Sequence, residues 1–438
     1  MKKVSILIAK IVSFLGNKIG RGSSLPGLIA QKIDKNILKK FILPKKVIVV
    51  TGSSGKGSTS TIIANTFKDL GYKVCHNNKG GNLPNGIITT LVRNSKLNGT
   101  IKSDIVVFEI DERYLKFICP YINPTDIVIT NVTRDQPPRQ GHIDLVINEI
   151  KKGINKNTKL YLNANDPTLE KFNFGNEIIY YGIDKIDSCY KDNLFNSLNQ
   201  RRCPHCNASL NYDYYHIEDI GLYKCPKCKF KTPKAKYLVT SFKDNVLEID
   251  KKNKITLNND MLYNLFNTIA AYSVLKEYNL NDKKICNSIT NQNKNKKLHN
   301  IYKHNNRDVY VINNKSENAS TYNQSMLYAY NDKTDKTVII GWHEISRRYL
   351  FDDLSWIYDI EFELLKENTN TFIVAGPQRY DIAVRLKYAG IDENKIKIHK
   401  DLYEAKEDID NSKGSIYAIL NFDYLNDFNT VMEELKWK

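Results

Sequence analysis

A chain of 438 residues has room for two or three hydrophobic cores, and 41% apolar residues are enough to fill them, which excludes an intrinsically disordered protein. The formal charge of +17 would suit a polyanion partner, but the excess is Lys scattered among Asn, with no tract of five or six cations, and reads mostly as compositional bias. No uninterrupted apolar run reaches the roughly 18 residues of a membrane span, and eight Cys, four of them in two C-x-x-C pairs, argue for metal binding in a reducing, cytoplasmic setting over a disulfide framework.

The first twenty residues, MKKVSILIAKIVSFLGNKIG, open like a leader peptide, but Lys10 interrupts the apolar run. Val4, Leu7, Ile8, Ile11, Val12, Leu15 and Ile19 recur at helical spacing, with Ile6 and Phe14 off that stripe. The pattern predicts an amphipathic helix that packs on the protein or touches a membrane surface. A second helical pattern ends near Phe41, and Pro44 closes the preamble.

Val47 to Val50 read as a buried parallel strand, which runs into 52-GSSGKGS-58 and then a helix begun by Ser58, Thr59 and Ser60. This is a phosphate cradle. Gly52 and Gly55 permit the turn and let backbone amides approach an anion, and Lys56 adds a point charge. The helix N-terminus contributes roughly half a positive charge. A second short strand lies near Tyr72 to Cys75, followed by 77-NNKGGNLPNGI-87, which either wraps a ligand or turns a corner. Ile105 to Phe108 form another strand that opens into 109-EIDE-112, where Glu109 either holds a hard cation or is a solvated strand end.

After 126-DIVITNVTRDQ-136, the polar groups Asn131, Arg134, Asp135 and His142 sit just beyond a strand end, and Leu160 to Asn163 lead into 163-NANDP-167. The alternation predicts a doubly wound parallel sheet with its ligand along the carboxyl edge. The pattern then breaks at Cys203, Cys206, Cys225 and Cys228. Two C-P-x-C knuckles flank a Tyr-rich, β-prone segment and offer the four sulfurs at about 2.3 Å that tetrahedral Zn²⁺ requires. His205 and His216 are substitute donors, but four thiolates already close the shell, so the zinc is structural and the ribbon a stapled insertion.

The stretch 261-MLYNLFNTIAAYSVLKEY-278 reads as a helix whose Asn264 and Asn267 share a face and either grip a nucleotide or cap local backbone. Residues 288–306, rich in Asn and Lys, read as a linker or polar surface. Strands at 308–314, 338–341, 372–375 and 416–420, with a turn and helix at 376–390, predict a second, Rossmann-like α/β domain.

Together, 52-GSSGKGS-58, 109-EIDE-112, 131-NVTRDQ-136, 163-NANDP-167 and Asn267 resemble the central ATPase domain of the Mur ligase superfamily. The inserted four-cysteine ribbon, 353-DLSWIYDIEFE-363 and 379-RYDIAVRLKYAG-390 narrow the resemblance to the MurT family, ligase-like subunits of lipid II isoglutaminyl synthase. It implies an N-terminal helical segment (1–45), a Mur ligase-type P-loop ATPase domain (46–300) with the zinc ribbon at about 198–235, and a C-terminal α/β domain (301–438) that contacts a class I, GatD-like glutaminase as a heterodimer. The implied reaction amidates the α-carboxylate of D-glutamate in the lipid II stem, through an acyl phosphate, with ammonia from the partner.

By the same resemblance ATP is bound by Gly52, Ser53, Ser54, Gly55, Lys56, Gly57 and Ser58. Lys56 contacts the β/γ-phosphates, Ser58 and Glu109 serve Mg²⁺, and Asn267 helps hold the nucleotide. Ser58 takes the magnesium role because Gly57 stands where most Mur ligases have Thr. Asp353, with Asp359 as runner-up, completes the Cys-His pair of the glutaminase. The expected location is cytoplasmic, at the inner face of the membrane, with no nucleic acid as partner. The alternatives are a folylpolyglutamate synthetase-like or other Mur-type ligase, a nucleotide-dependent nucleic-acid-binding zinc protein, and a non-catalytic scaffold for the glutaminase. The folylpolyglutamate synthetase branch shares G-K-G-S but lacks the ribbon and the D-x-S-W segment.

Overall fold

The structure, a computed structural model, describes residues 2–18, 24–78, 81–134, 141–195, 202–295, 301–314, 318–342, 354–421 and 423–437. Two helices, α1 (Lys2–Lys18) and α2 (Leu25–Ile33), precede a nine-stranded sheet. In that sheet β1 (Lys46–Thr51) feeds α3 (Lys56–Asp69), β2 (Val74–His76) feeds α4 (Pro84–Asn94), β3 (Ile105–Glu109) feeds α5 (Leu115–Ile122), and β4 (Asp126–Ile129) feeds α6 (Ile143–Lys151). Strands β5 (Lys159–Asn163) and β6 (Ile178–Ile183) follow. A separate hairpin of β7 (Asn211–Ile217) and β8 (Ile220–Lys224) comes next, before β9 (Tyr237–Lys243), β10 (Val246–Ile249) and β11 (Asn253–Thr256) finish the sheet. Helices α7 (Leu262–Glu277) and α8 (Asp282–Asn295) then return across one face.

The order β11-β10-β9-β6-β5-β4-β1-β3-β2 places β1 between β4 and β3. All pairings from β2 to β9 are parallel, and only β9, β10 and β11 meet antiparallel. Parallel strands are covered on both faces, and β1 shows why its sequence is continuously apolar. Val47 and Val49 enter a core with Ile87 and Leu91 of α4 and Leu115 of α5, whereas Ile48 and Val50 enter a second core with Ile62 and Phe67 of α3 and Ile269 of α7. Because the chain crosses β1 in passing from β3 to β4, the reversal of winding falls at the carboxyl ends of β1 and β4, where a crevice opens.

A second sheet has the order β12-β13-β17-β14-β15-β16. It comprises β12 (Ile301–His304), β13 (Arg307–Asn314), β14 (Lys336–Gly341), β15 (Thr369–Ala375), β16 (Ile396–His399) and β17 (Ser415–Asn421), with α9 (Ala319–Asn331), α10 (Arg379–Tyr388), α11 (Lys406–Asn411) and α12 (Leu425–Glu434) around it. Val338, Ile340, Phe372 and Val374 face a core that also takes in Phe195, Ile217 and Met261 from the first unit, so the two units share buried apolar surface.

One sequence expectation is narrowed and one needs correcting. The apolar stripe of α1 faces outward: Ile6 and Ala9, with Ser5, Ser13 and Gly16, are the buried residues, and Val4, Leu7, Ile8, Ile11, Phe14 and Leu15 are exposed. Residues 288–295 are the second half of α8 rather than linker. Ile285 and Ile289, one turn apart, are fully buried, and Ser288 donates to Asp69 Oδ2 at 2.6 Å while Gln292 donates to Thr66 Oγ1 at 3.0 Å.

Candidate active site

The loop after β1 is shaped by two glycines with left-handed backbones, Gly52 (φ 127°) and Gly55 (φ 79°). A Cβ on Gly52 would lie 2.4 Å from Thr130 Oγ1, and one on Gly55 would lie 2.3 Å from Asn267 Oδ1, so the loop is clamped between the end of β4 and helix α7. Polar contacts hold it there. Ser54 N–H donates to Asn131 Oδ1 at 3.0 Å, Ser53 N–H to Asn131 O at 3.0 Å, and Thr130 Oγ1 to Ser54 O at 2.6 Å. Among the described residues no side chain caps α3, which leaves its positive N-terminal end for an anion.

Lys56 opens that helix and folds back over the loop, bonding Gly52 O and Ser53 O. Its ammonium also meets Glu112 Oε2 at 3.0 Å, with the two side chains only 11% and 5% exposed. Burial pulls the Lys56 pKa down, but Glu112, Asp111 and Glu109 more than offset it, so the ammonium is held charged. Glu112 went unrecognised from sequence, although it closes the acidic run in which Glu109 was singled out.

Glu109 sits at the end of β3 against the first turn of α3. Asn77 clasps its backbone, accepting from Glu109 N–H at 2.9 Å and donating to Glu109 O at 2.8 Å, and Asn82 donates to Glu109 Oε1 at 3.1 Å. Asn77 and Asn82 thus hold the Glu109 end of β3 in place. A Cβ on Gly57 would come within 3.1 Å of Glu109 Oε2, so glycine keeps space beside the carboxylate. Ser58 is exposed on the same turn. Carboxylate and hydroxyl oxygens form the donor set of a hard divalent cation, and Glu109 and Ser58 fit Mg²⁺ on that ground. Next to the Asn77 clasp, a cavity of about 170 Å³ is lined by His76, Asn78, Thr90 and Arg93. Burial, helped by Lys68, pushes the His76 pKa down to about 4, so this imidazole is neutral.

On the other side of the loop, a cleft passes Gly55 and Asn131 between apolar walls from Leu262, Tyr263 and Phe266 of α7 and Ile217 and Ile220 of the β7–β8 hairpin. Asn267 and Gln324 also line it, and Asn267 Nδ2 and Gln324 Oε1 are buried without a partner among the described residues. A buried donor and acceptor left unpaired between apolar walls are what a flat heteroaromatic ring would satisfy. Asn163 joins this lining, whereas Asn264 turns away to Asn259. His142 caps α6, accepting from Asp144 N–H at 3.2 Å.

The four cysteines converge. Cys203 and Cys228 sulfurs lie 3.5 Å apart, those of Cys206 and Cys225 3.4 Å, and all four fall within 4.8 Å of one another, a donor set that fits a tetrahedral metal. Neither histidine joins them: His205 lies 3.5 Å from Glu170, and His216 contacts Ile183 O and Cys189 Sγ. The ribbon's hairpin is bound to the main sheet through Gly221 N–H to Asn165 O at 3.0 Å and Tyr223 OH to Ala164 O at 3.2 Å. Its tip reaches the second unit, where Glu218 accepts from Asn323 Nδ2 at 2.7 Å and Ser320 Oγ at 2.9 Å. Asp359 forms an ion pair with Arg134 at 2.9 Å, a second tie between the units. Asp135 and Asp353 lie outside the described residues.

The Mur ligase middle domain family matches residues 50–218, and the MurT ligase C-terminal family matches residues 315–424. The lipid II isoglutaminyl synthase (glutamine-hydrolyzing) subunit MurT of Staphylococcus aureus is 33% identical over 427 residues, 95% of this chain and 94% of the relative. The subunit of the same name from Streptococcus pneumoniae is 28% identical over 93% of this chain and 91% of its own length. Among solved structures, a pseudomurein peptide ligase type C from Methanothermus fervidus superimposes with a TM-score of 0.69 at 20% identity, covering 92% of this chain and 81% of that one. MurF from Acinetobacter baumannii gives 0.60 at 14% identity over 93% and 78%.

Proposed function

The chain belongs to the MurT family of lipid II isoglutaminyl synthase subunits, and from that membership we propose that it activates the α-carboxylate of a stem-peptide D-glutamate with ATP. The base enters the cleft beside Asn267 and Gln324, and the phosphates lie along residues 52–58 at the α3 N-terminus. Lys56 moves from Glu112 to the β/γ-phosphates, while Glu109 and Ser58 hold Mg²⁺, which neutralises charge on the phosphates when bound. The acceptor approaches from the His76–Arg93 side. An acceptor carboxylate oxygen attacks the γ-phosphorus and ADP leaves; ammonia then attacks the acyl carbon, phosphate leaves with the C–O electron pair, and the amide forms after loss of a proton.

Ammonia comes from a class I glutaminase partner. An exposed aromatic patch of Tyr358, Tyr380 and Tyr388 with Val384, centred on α10, gives that partner a docking face. Asp353 is the carboxylate that orients the partner's His, a reading that the pairing of Asp359 with Arg134 supports. The ribbon metal is zinc, the compartment is cytoplasmic, and the functional divisions are 1–45, 46–300 and 301–438.

The observation that carries this reading is the placing of Lys56 and Glu109 on either side of one helix N-terminus, in a chain that spans nearly all of its MurT relatives. The test is to purify the chain with a class I glutaminase, supply ATP, Mg²⁺, glutamine and lipid II, and read the stem peptide by mass spectrometry. Wild type yields the amidated stem, and Lys56→Met/Glu112→Gln yields none. Equal product from both, or none from wild type, sinks the proposal.

A further inference from the structure

Helix α1 sits on the protein by its less apolar side. The buried residues are Ser5, Ile6, Ala9, Ser13 and Gly16; Ser5 Oγ donates to Ala30 O at 2.9 Å, and Ser13 Oγ accepts from Arg93 Nε at 2.7 Å. The six large apolar side chains on the outer side, Val4, Leu7, Ile8, Ile11, Phe14 and Leu15, are left between 37% (Ile8) and 67% (Phe14) exposed. Six such groups in four turns of one helix far exceed the singly scattered apolar residues of an ordinary surface and mark a docking face.

Charge decides what docks. The segment KKVSILIAKIVSFLGNK holds four Lys and no acid, and Lys102 lies close enough to Lys10 to add to the depression of its pKa that burial begins. A second copy of α1 would set lysines against lysines with no carboxylate to pair them, which disfavours self-association. A bilayer rich in anionic lipid supplies both an apolar layer for the stripe and negative headgroups for the rim. Among the described residues no helix is long and apolar enough to cross a membrane, so α1 lies in the surface rather than through it.

We propose that α1 is an interfacial anchor: its Val4–Leu15 face rests in the headgroup region of an anionic membrane while its Ser5–Ser13 face stays on the protein. Arg93, which bonds Ser13 on the protein-facing side of α1, also lines the His76 cavity, so α1 and the acceptor side of the site both pack on helix α4. The purpose of the anchor rests on the proposed function, in which the acceptor is a lipid; its geometry does not.

The experiment is flotation of the full chain with phosphatidylglycerol/phosphatidylethanolamine vesicles, comparing wild type with Leu7→Ser/Ile11→Ser and with Lys3→Glu. We expect wild type to float, binding to fall about tenfold or more in the double variant, and wild-type binding to weaken when salt rises from about 0.05 M to about 0.5 M. Because the changed side chains point outward, melting temperature and amidation of a detergent-dispersed acceptor should stay at wild-type values. Wild type that fails to float, or a double variant that floats equally well, overturns the anchor. So does a double variant that melts markedly lower or changes the oligomeric mass in solution, since the face would then be covered by protein. Loss of amidation in detergent by wild type would instead count against the proposed function, and flotation reads independently of it.

Discussion

Lys56 is restrained before it meets a nucleotide. Its ammonium is bonded by two loop carbonyls and by Glu112, and both members of that ion pair are nearly inaccessible. A buried pair adds little net stability, but breaking one side of it strands a charge in a poorly solvated site, at a cost of about 3 kcal/mol. Lys56→Met should therefore lower the urea midpoint as well as abolish ligation, and a loss of activity alone would say little about chemistry. Adding Glu112→Gln removes the stranded charge, so the double variant should recover most of the stability and none of the activity, read by urea unfolding and stem-peptide amidation. Recovery of activity together with stability would make Lys56 structural. Asp111 tightens the same network: burial pushes its pKa up, but Arg113 at 2.8 Å and Lys56 more than offset this and hold the carboxyl below its ordinary value.

The ribbon shows how an inserted element can govern a site it does not belong to by sequence. Its cysteines lie at one end of the module, while Ile217 and Ile220 at the hairpin tip wall the base cleft. Metal binding to four thiolates is coupled to folding of so small a module, whose own core is little more than Leu210 and Tyr223 with two of the cysteines. Stripping the metal with a chelator should therefore weaken binding of a fluorescent ATP analogue about tenfold, while far-ultraviolet circular dichroism keeps the signature of the two sheets. Unchanged affinity after verified metal loss would show that the tip holds its place without the knuckles. The cysteine spacing was legible in sequence because ligand geometry is local; the tip's destination was not, since nothing in 217-IEDI-220 says which surface it will meet. The same limit applies to α1, where periodicity identifies the apolar face but not whether anything covers it. In α8 composition misled, because Asn and Lys on the outer face hid the Ile285–Ile289 pair that anchors the helix. By contrast, the β1–loop–α3 unit was readable almost residue by residue, since apolar strand, glycine turn and helix start follow from consecutive positions.

At the scale of the whole molecule, three contacts join the ATPase sheet to the C-terminal sheet: Gln324 in the cleft beside Asn267, Arg134 with Asp359, and Glu218 with Asn323 and Ser320. None could be read from sequence, because each joins residues about 100 or more positions apart. The last of them is titratable near neutrality. Burial pushes the Glu218 carboxyl up to about 7 from an ordinary 4.5; the bonds from Asn323 and Ser320 oppose the rise, and Asp219 and Asp359 add to it. Between those two values the folded chain keeps a proton that the unfolded chain has released. Stability from this group is thus fully present below about pH 4.5, declines as pH rises toward about 7, and is flat above that. Asp166, pushed up to about 6 mainly by burial, slopes the same way. Glu218→Gln keeps an acceptor for Asn323, offers an amide N–H that the Ser320 hydroxyl can turn to accept, and removes the titration, so urea midpoints measured across this range should fall less steeply for the variant than for wild type. Parallel curves would mean that Glu218 is ionised in the folded chain throughout, and that the two units are held together by Arg134–Asp359 and the shared apolar core without a proton at their junction.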